Sequence, residues 1–220
     1  MSPPRFASVV LDVDSTLCGI EGVDWIAQLR GPDIARQSAL LTERAMNGEI
    51  PIDAAYGARL DIIRPTRAEV DALSQAYQET LAADAPATIA ALRNAGVRVV
   101  LVSGGFRRAI DPVARQLGVE LRAVDLYWDA AGDYAGFDTA SPLATQTGKL
   151  VVVRALALPR PTLAVGDGST DAGMRPAVDE FAAFTGFARR EPVVAVADRE
   201  IASYAELKEL VLGGVGPGRS

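Results

Sequence analysis

Two aspartates stand two residues apart at the end of an apolar run, Val9-Val10-Leu11-Asp12-Val13-Asp14-Ser15-Thr16. Carboxylates act as nucleophiles and as general acids or bases, so this stretch is the first place to look for chemistry. Near-continuous Val and Leu reads as a buried strand of a parallel sheet rather than a half-exposed, alternating one. In open α/β sheets, ligands bind just beyond the carboxyl ends of such strands. Asp12 and Asp14 therefore leave the core where a ligand would sit. In an extended chain, residues two apart face the same way at about 6.6 Å. A phosphoryl group fits that gap with one carboxylate on each side. Taken without its surroundings, the stretch can also be read as an ordinary polar exit from strand to loop.

Two more apolar runs end in polar clusters. Residues 97–102 lead into Ser103-Gly104-Gly105, and 162–165 lead into Gly166-Asp167-Gly168-Ser169-Thr170-Asp171. In a parallel sheet all three ends lie on one edge. Asp12, Asp14, Asp167 and Asp171 would then crowd together. At about 4 Å and an effective dielectric near 20, each like-charge contact costs on the order of 4 kcal/mol. Such a cluster calls for a cation. The chain has no histidine, so the ligands must be oxygens, which suits a hard ion such as magnesium. The same absence excludes Ser-His-Asp and Cys-His machinery. A cysteine phosphatase is excluded by spacing, because the sixth residue past Cys18 is Asp24 and not arginine. Among 22 basic residues only Lys149 and Lys208 are lysines. Lys149 follows a glycine at a helix start, where its point charge would neutralise phosphate oxygens. Singly, Ser103 and the pair Asp167/Asp171 also read as helix caps and Lys149 as a solvated side chain. Their coincidence at three strand ends is what points to catalysis.

The elements that must position these groups follow from periodicity. After Thr16 the pattern turns helical. Expected helices cover a segment ended by Gly31-Pro32, a second over 33–46, and a third after Pro51, with a turn at Asn47-Gly48. Thr66-Arg67-Ala68-Glu69 has capping-box spacing ahead of Val70, Leu73 and Tyr77. Residues 18–82 thus read as an all-helical insertion. Strand and helix then alternate. Helices are expected from Asp84 to Gly96, ahead of Gly118, from Gly148 to about 157, and over 202–212. Further strands are expected at 124–127, 181–184 and 193–196, with a hairpin over 127–137. The expected fold class is α/β: a doubly wound, Rossmann-like parallel sheet core (1–17 and 83–220) with a small inserted helical cap domain (18–82).

Bulk properties narrow the partners. The 220 residues allow one domain with an insertion, and 49% hydrophobic residues support a sizeable core. A net charge of −6 argues against nucleic acid. No apolar stretch approaches the roughly 18 residues of a membrane span, and no signal peptide is visible. A single cysteine suits a reducing, cytoplasmic setting. The expected partner is a small phosphorylated molecule, bound by a monomer or homodimer.

Asp-Val-Asp-Ser-Thr, Ser-Gly-Gly, Lys149 and Gly-Asp-Gly-Ser-Thr-Asp together resemble the four motifs of the haloacid dehalogenase superfamily of phosphotransferases. More narrowly, Glu21-Gly22, Arg44-Ala45-Met46, Pro51 and Arg59 resemble the phosphoserine phosphatase family, whose small helical cap sits where the insertion does. One departure is Asn47 ahead of Gly48, where many relatives have two glycines. The resemblance implies that Asp12 is the nucleophile and Asp14 the acid and then the base. It implies that magnesium is held by the Asp12 carboxylate, the Asp14 carbonyl and Asp167, with Asp171 ordering a metal-bound water or Lys149. It further implies that Ser103, Gly104, Lys149 and Thr170 cradle phosphate, that Glu21 takes the substrate ammonium and Arg59 its carboxylate, and that Met46 lines the pocket. A free amino acid needs one anion and one guanidinium, and arginine grips a carboxylate bidentately. Two rivals share parts of this pattern. A receiver-type signalling domain would be phosphorylated on Asp12 without turnover, and a dehalogenase would need neither metal nor the second aspartate.

Overall fold

Strand β1, Ser8–Leu11, is wholly buried. The computed structural model describes residues 3–46 and 49–213. Val9 and Leu11 join the apolar cluster on one face of the sheet, and Val10 joins a second cluster on the other. That two-sided burial is why the run is continuously apolar rather than alternating. Each fully buried Val or Leu contributes roughly 2 kcal/mol toward ordering the chain around it.

Four helices follow β1: α1 (Gly22–Leu29), α2 (Pro32–Met46), α3 (Ile52–Ile63) and α4 (Arg67–Glu79). The expected capping box starts α4, with Thr66 Oγ1 accepting from Glu69 N–H and the Glu69 carboxylate accepting from Thr66 N–H. The chain entering this helical group and the chain leaving it lie side by side. Gly19 N–H donates to Thr80 at 2.9 Å, and Ala82 N–H donates to Leu17 at 3.0 Å. The turn expected at Asn47-Gly48 lies outside the described residues.

Next come α5 (Ala85–Asn94), β2 (Arg98–Phe106), α6 (Arg107–Leu117), β3 (Glu120–Val124), β4 (Leu126–Trp128) and β5 (Tyr134–Phe137). They are followed by α7 (Gly148–Ala155), β6 (Thr162–Gly166), α8 (Ser169–Ala172), β7 (Glu180–Phe184), α9 (Glu191–Val194), β8 (Arg199–Ile201) and α10 (Tyr204–Leu212). Six strands form one parallel sheet in the order β3-β2-β1-β6-β7-β8, and β4-β5 is an antiparallel hairpin. The order reverses at β1, so the crevice for a ligand opens between the carboxyl ends of β1 and β6. Register is level across the three central strands, with Leu11 beside Leu101 and Val165.

Two expected strands are corrected. The segment 193–196 is not a strand. Pro192 sits in the first turn of α9, where its fixed φ suits a helix start, and the following strand is β8. The segment 124–127 straddles the end of β3 and the start of β4. Asp125 breaks it there, its carboxylate held by Arg107 as the chain leaves the sheet for the hairpin.

Candidate active site

The carboxyl ends of β1, β2 and β6 open into a cavity of about 660 Å³. Asp12, Asp14, Glu21, Arg59, Gly104, Lys149, Asp167, Thr170 and Asp171 all line it. All four carboxylates expected at the strand ends line this cavity, and three of them come close together. One oxygen each from Asp12, Asp167 and Asp171 lies within 4.8 Å of the others, and all three residues are buried. Asp171 comes this close because Gly166 has no side chain. A Cβ there would stand 2.2 Å from the Asp171 carboxyl carbon.

Lys149 is the internal counter-charge. It opens α7 and is only 6% exposed. Its Nζ lies 2.6 Å from Asp12 Oδ1 and 2.6 Å from Asp171 Oδ1. Burial opposes its charge, but the two carboxylates outweigh burial and push its pKa up, so the lysine is charged. Asp12 is pushed well above the usual carboxylate range, first by burial and then by Asp171, while Lys149 pulls against both. Lys149 and the Arg190 guanidinium on Asp167 together leave three buried carboxylates one positive charge short.

Asp14 is held differently. Its Oδ1 accepts from Tyr77 Oη at 2.7 Å and from Gly22 N–H at 2.6 Å, and its Oδ2 faces Ser103 Oγ at 3.4 Å. Burial, then the nearby Glu21 charge, raise its pKa from 3.8 to about 6. The Tyr77 phenol is also pushed up, by burial and by Asp14, so it remains a donor. The turn that brings Asp14 here is tight, with Ser15 in a left-handed conformation at φ 51°.

The other groups are placed as follows. Ser103 is fully buried, and its Oγ accepts from Gly105 N–H at 2.9 Å. Glu21 accepts from Ser15 Oγ at 2.8 Å and pairs with Arg190 at 3.0 Å. Arg59 donates to Ser38 Oγ at 2.9 Å and pairs with Asp24. Thr170 lines the cavity without a hydrogen bond recorded for its side chain among the described residues. Met46 ends α2, and its side chain lies outside what the structure describes. Asp167 Oδ1 accepts from Thr16 Oγ1 at 3.0 Å, and its Oδ2 is paired with the Arg190 guanidinium.

Tyr77, Arg190, Tyr56 and Thr16 escaped the sequence reading as site residues. Tyr77 was visible only as part of an apolar helix stripe, yet a buried tyrosine needs a partner for its hydroxyl, which was the available signal. Arg190 lies in a loop ahead of a short helix with no motif around it.

The buried Asp12, Asp167 and Asp171 carboxylates could hold an oxygen-ligated metal ion. The donors are all carboxylates and they are buried, which is the chemistry of a hard-cation site. Comparison with known proteins agrees with the geometry. The family model for haloacid dehalogenase-like hydrolases matches residues 6–179. The chain belongs to the haloacid dehalogenase-like hydrolases. Among its relatives in that family, phosphoserine phosphatase of Homo sapiens is 34% identical over 206 residues, covering 91% of each chain. The chloroplastic phosphoserine phosphatase of Arabidopsis thaliana is 34% identical over 208 residues, covering 91% of this chain and 70% of the relative. A solved structure described as a phospho-aspartyl intermediate analogue of phosphoserine phosphatase superposes with a TM-score of 0.74 at 25% identity, covering 91% of this chain and 96% of the other. Within this hydrolase, no helix among the described residues is long and apolar enough to cross a membrane.

Proposed function

We propose that the protein hydrolyses O-phospho-L-serine to L-serine and phosphate through a phosphoryl group carried on Asp12. The observation that carries this reading is Lys149, buried between Asp12 and Asp171 with Asp167 alongside. A nucleophilic carboxylate repels an anionic substrate, and a fixed buried cation offsets that repulsion. The relatives named above support the substrate, and the solved structure described as a phospho-aspartyl intermediate analogue of phosphoserine phosphatase supports the covalent step.

In the first step an Asp12 oxygen attacks phosphorus, and the bond from phosphorus to the serine oxygen breaks. Asp14 gives its proton to that leaving oxygen. With a pKa raised to about 6, it lies close enough to neutrality both to give a proton and to take one back. In the second step Asp14 takes a proton from water as the water oxygen bonds to phosphorus and the Asp12–phosphorus bond breaks. Ser103 Oγ, the Gly104 backbone, Thr170 and Lys149 receive phosphate oxygens. Magnesium would be held by the Asp12 carboxylate, the Asp14 carbonyl and Asp167, with Asp171 in its outer shell. When bound, it supplies positive charge that lets the nucleophile and phosphate approach.

Residues 18–82 form the cap in this reading, and 1–17 with 83–220 form the catalytic core. Arg59 on α3 takes the substrate carboxylate and Glu21 its ammonium, so the cap sets specificity while the strand ends do the chemistry. Cys18, a buried free thiol, fits a reducing cytoplasm.

The test is phosphate release from a panel of small phosphomonoesters, with and without magnesium. The expected result is magnesium-dependent turnover with phosphoserine the best substrate. A better rate on another phosphorylated metabolite would replace the substrate. A stable phospho-protein with no catalytic release would replace hydrolysis with the receiver reading.

A further inference from the structure

Helix α3 carries Arg59, and it also touches the strand ends directly. One turn before Arg59, Tyr56 Oη donates to the Gly104 carbonyl at 2.8 Å. Three residues earlier on the same face, the Asp53 carboxylate accepts from Gln146 N–H at 3.0 Å, in the segment leading to Lys149.

The Gly104–Gly105 peptide has two anchors. Its oxygen is held by Tyr56, and its N–H is held by Ser103 Oγ at 2.9 Å. Gly105 N–H thereby fills one lone pair of Ser103 Oγ, and the serine hydroxyl faces Asp14 Oδ2 at 3.4 Å. Every donor in this series points the same way, from the α3 hydroxyl toward Asp14, and bonds aligned in series polarise one another. The peptide needs such anchoring. A Cβ on Gly105 would stand 3.1 Å from both Asp14 Oδ2 and Ser103 Oγ, tighter than an ordinary contact, so a side chain there would press on both groups. Glycine leaves the backbone free to turn unless something outside it fixes the plane. The Tyr56 ring is itself fixed, packed edge-on against Phe137 with centroids 5.4 Å apart. Burial, then the Asp14 charge, push its phenol up, so it donates throughout the working pH range.

We propose that Tyr56 is a positioning residue for phosphoryl transfer: from the helix that carries Arg59, its hydroxyl fixes the Gly104–Gly105 peptide and, through it, the Ser103 hydroxyl that holds a phosphate oxygen. This rests on the reading of Ser103 and Gly104 as the phosphate cradle. It makes α3 more than a specificity element, since the same helix sets the geometry of the reacting end.

The test is a double-mutant cycle with Tyr56→Phe and Ser103→Ala, measured on a small aryl phosphate with magnesium. Tyr56→Phe keeps the ring against Phe137 and removes only the hydroxyl. It should lower kcat about three- to tenfold, the equivalent of one hydrogen bond, with KM within about twofold. In the Ser103→Ala background the same change should have almost no further effect, because the two act through one peptide. Orthovanadate binding, followed by thermal shift, reads the cradle without turnover and should weaken in Tyr56→Phe by a similar factor. Additive effects in the cycle, a rise in KM alone, or unchanged kcat and vanadate binding would each overturn the proposal. The aryl phosphate separates this from the substrate reading: wild-type protein that cleaves it but ignores phosphoserine refutes the substrate and still tests Tyr56.

Discussion

At the scale of single residues, the site is a problem of buried charge. Asp12 is crowded by Asp171 and Asp167 and, among the described residues, is paired with Lys149 alone. Asp12→Asn should abolish phosphate release while keeping the fold, because the amide still packs and hydrogen-bonds beside Lys149. Thermal unfolding alongside the assay checks both halves, and retained turnover would refute covalent catalysis on Asp12. Asp14 gives a pH signature in the metal-free protein. Its folded pKa of about 6 exceeds the unfolded 3.8, so the folded state holds the proton more tightly. Its contribution to stability is then full below about pH 4 and is lost as pH rises through 6. The loss amounts to at most about 3 kcal/mol, less for the part of Asp14 that borders the cavity. Urea unfolding in chelator from pH 4 to 7 should show this slope in wild type and a flatter one in Asp14→Asn. These carboxylates were legible in the sequence because each follows an apolar strand. Arg190 was not, because its partners Glu21 and Asp167 lie 169 and 23 residues away and no local pattern records them.

At the scale of elements, α3 is where recognition meets reaction. Arg59 already pairs with Asp24 and Ser38, so it is held in place before substrate arrives. Arg59→Ala should raise KM for phosphoserine about 10- to 100-fold, as expected for a lost charge-assisted pair. It should spare an aryl phosphate much more. Steady-state kinetics on the two substrates decides, and equal losses on both would remove the carboxylate clamp. Helices with strong punctuation were readable. Thr66 and Glu69 announced α4, and Pro51 announced α3. Short edge elements were not. Valines at 193–196 have strand propensity, but Pro192 and burial of Val193 alone make a helical turn. Four residues carry too little period for sequence to separate the two.

At the scale of the whole molecule, one sheet brings the carboxyl ends of β1, β2 and β6 together on one edge. Its topology was implied by alternating strands and helices, but the order β3-β2-β1-β6-β7-β8 needed the structure, since parallel neighbours share no local signal. Magnesium should bind the native fold alone and stabilise it by mass action. At a hundredfold excess over its dissociation constant this is about 2.7 kcal/mol, or roughly 5–10 °C in Tm for a chain of this size. Calorimetry with and without chelator measures it, and Asp167→Asn should erase most of the shift. The level register of β1, β2 and β6 has a consequence of its own. Neighbouring backbones in any sheet are about 4.8 Å apart, so the pitch between reactive groups is dictated by main-chain bonding and not by side-chain choice. The anvil on which phosphorus is struck is therefore a fixed gauge, and descendants of this fold can change what they grip by remodelling helices while the gauge stays untouched.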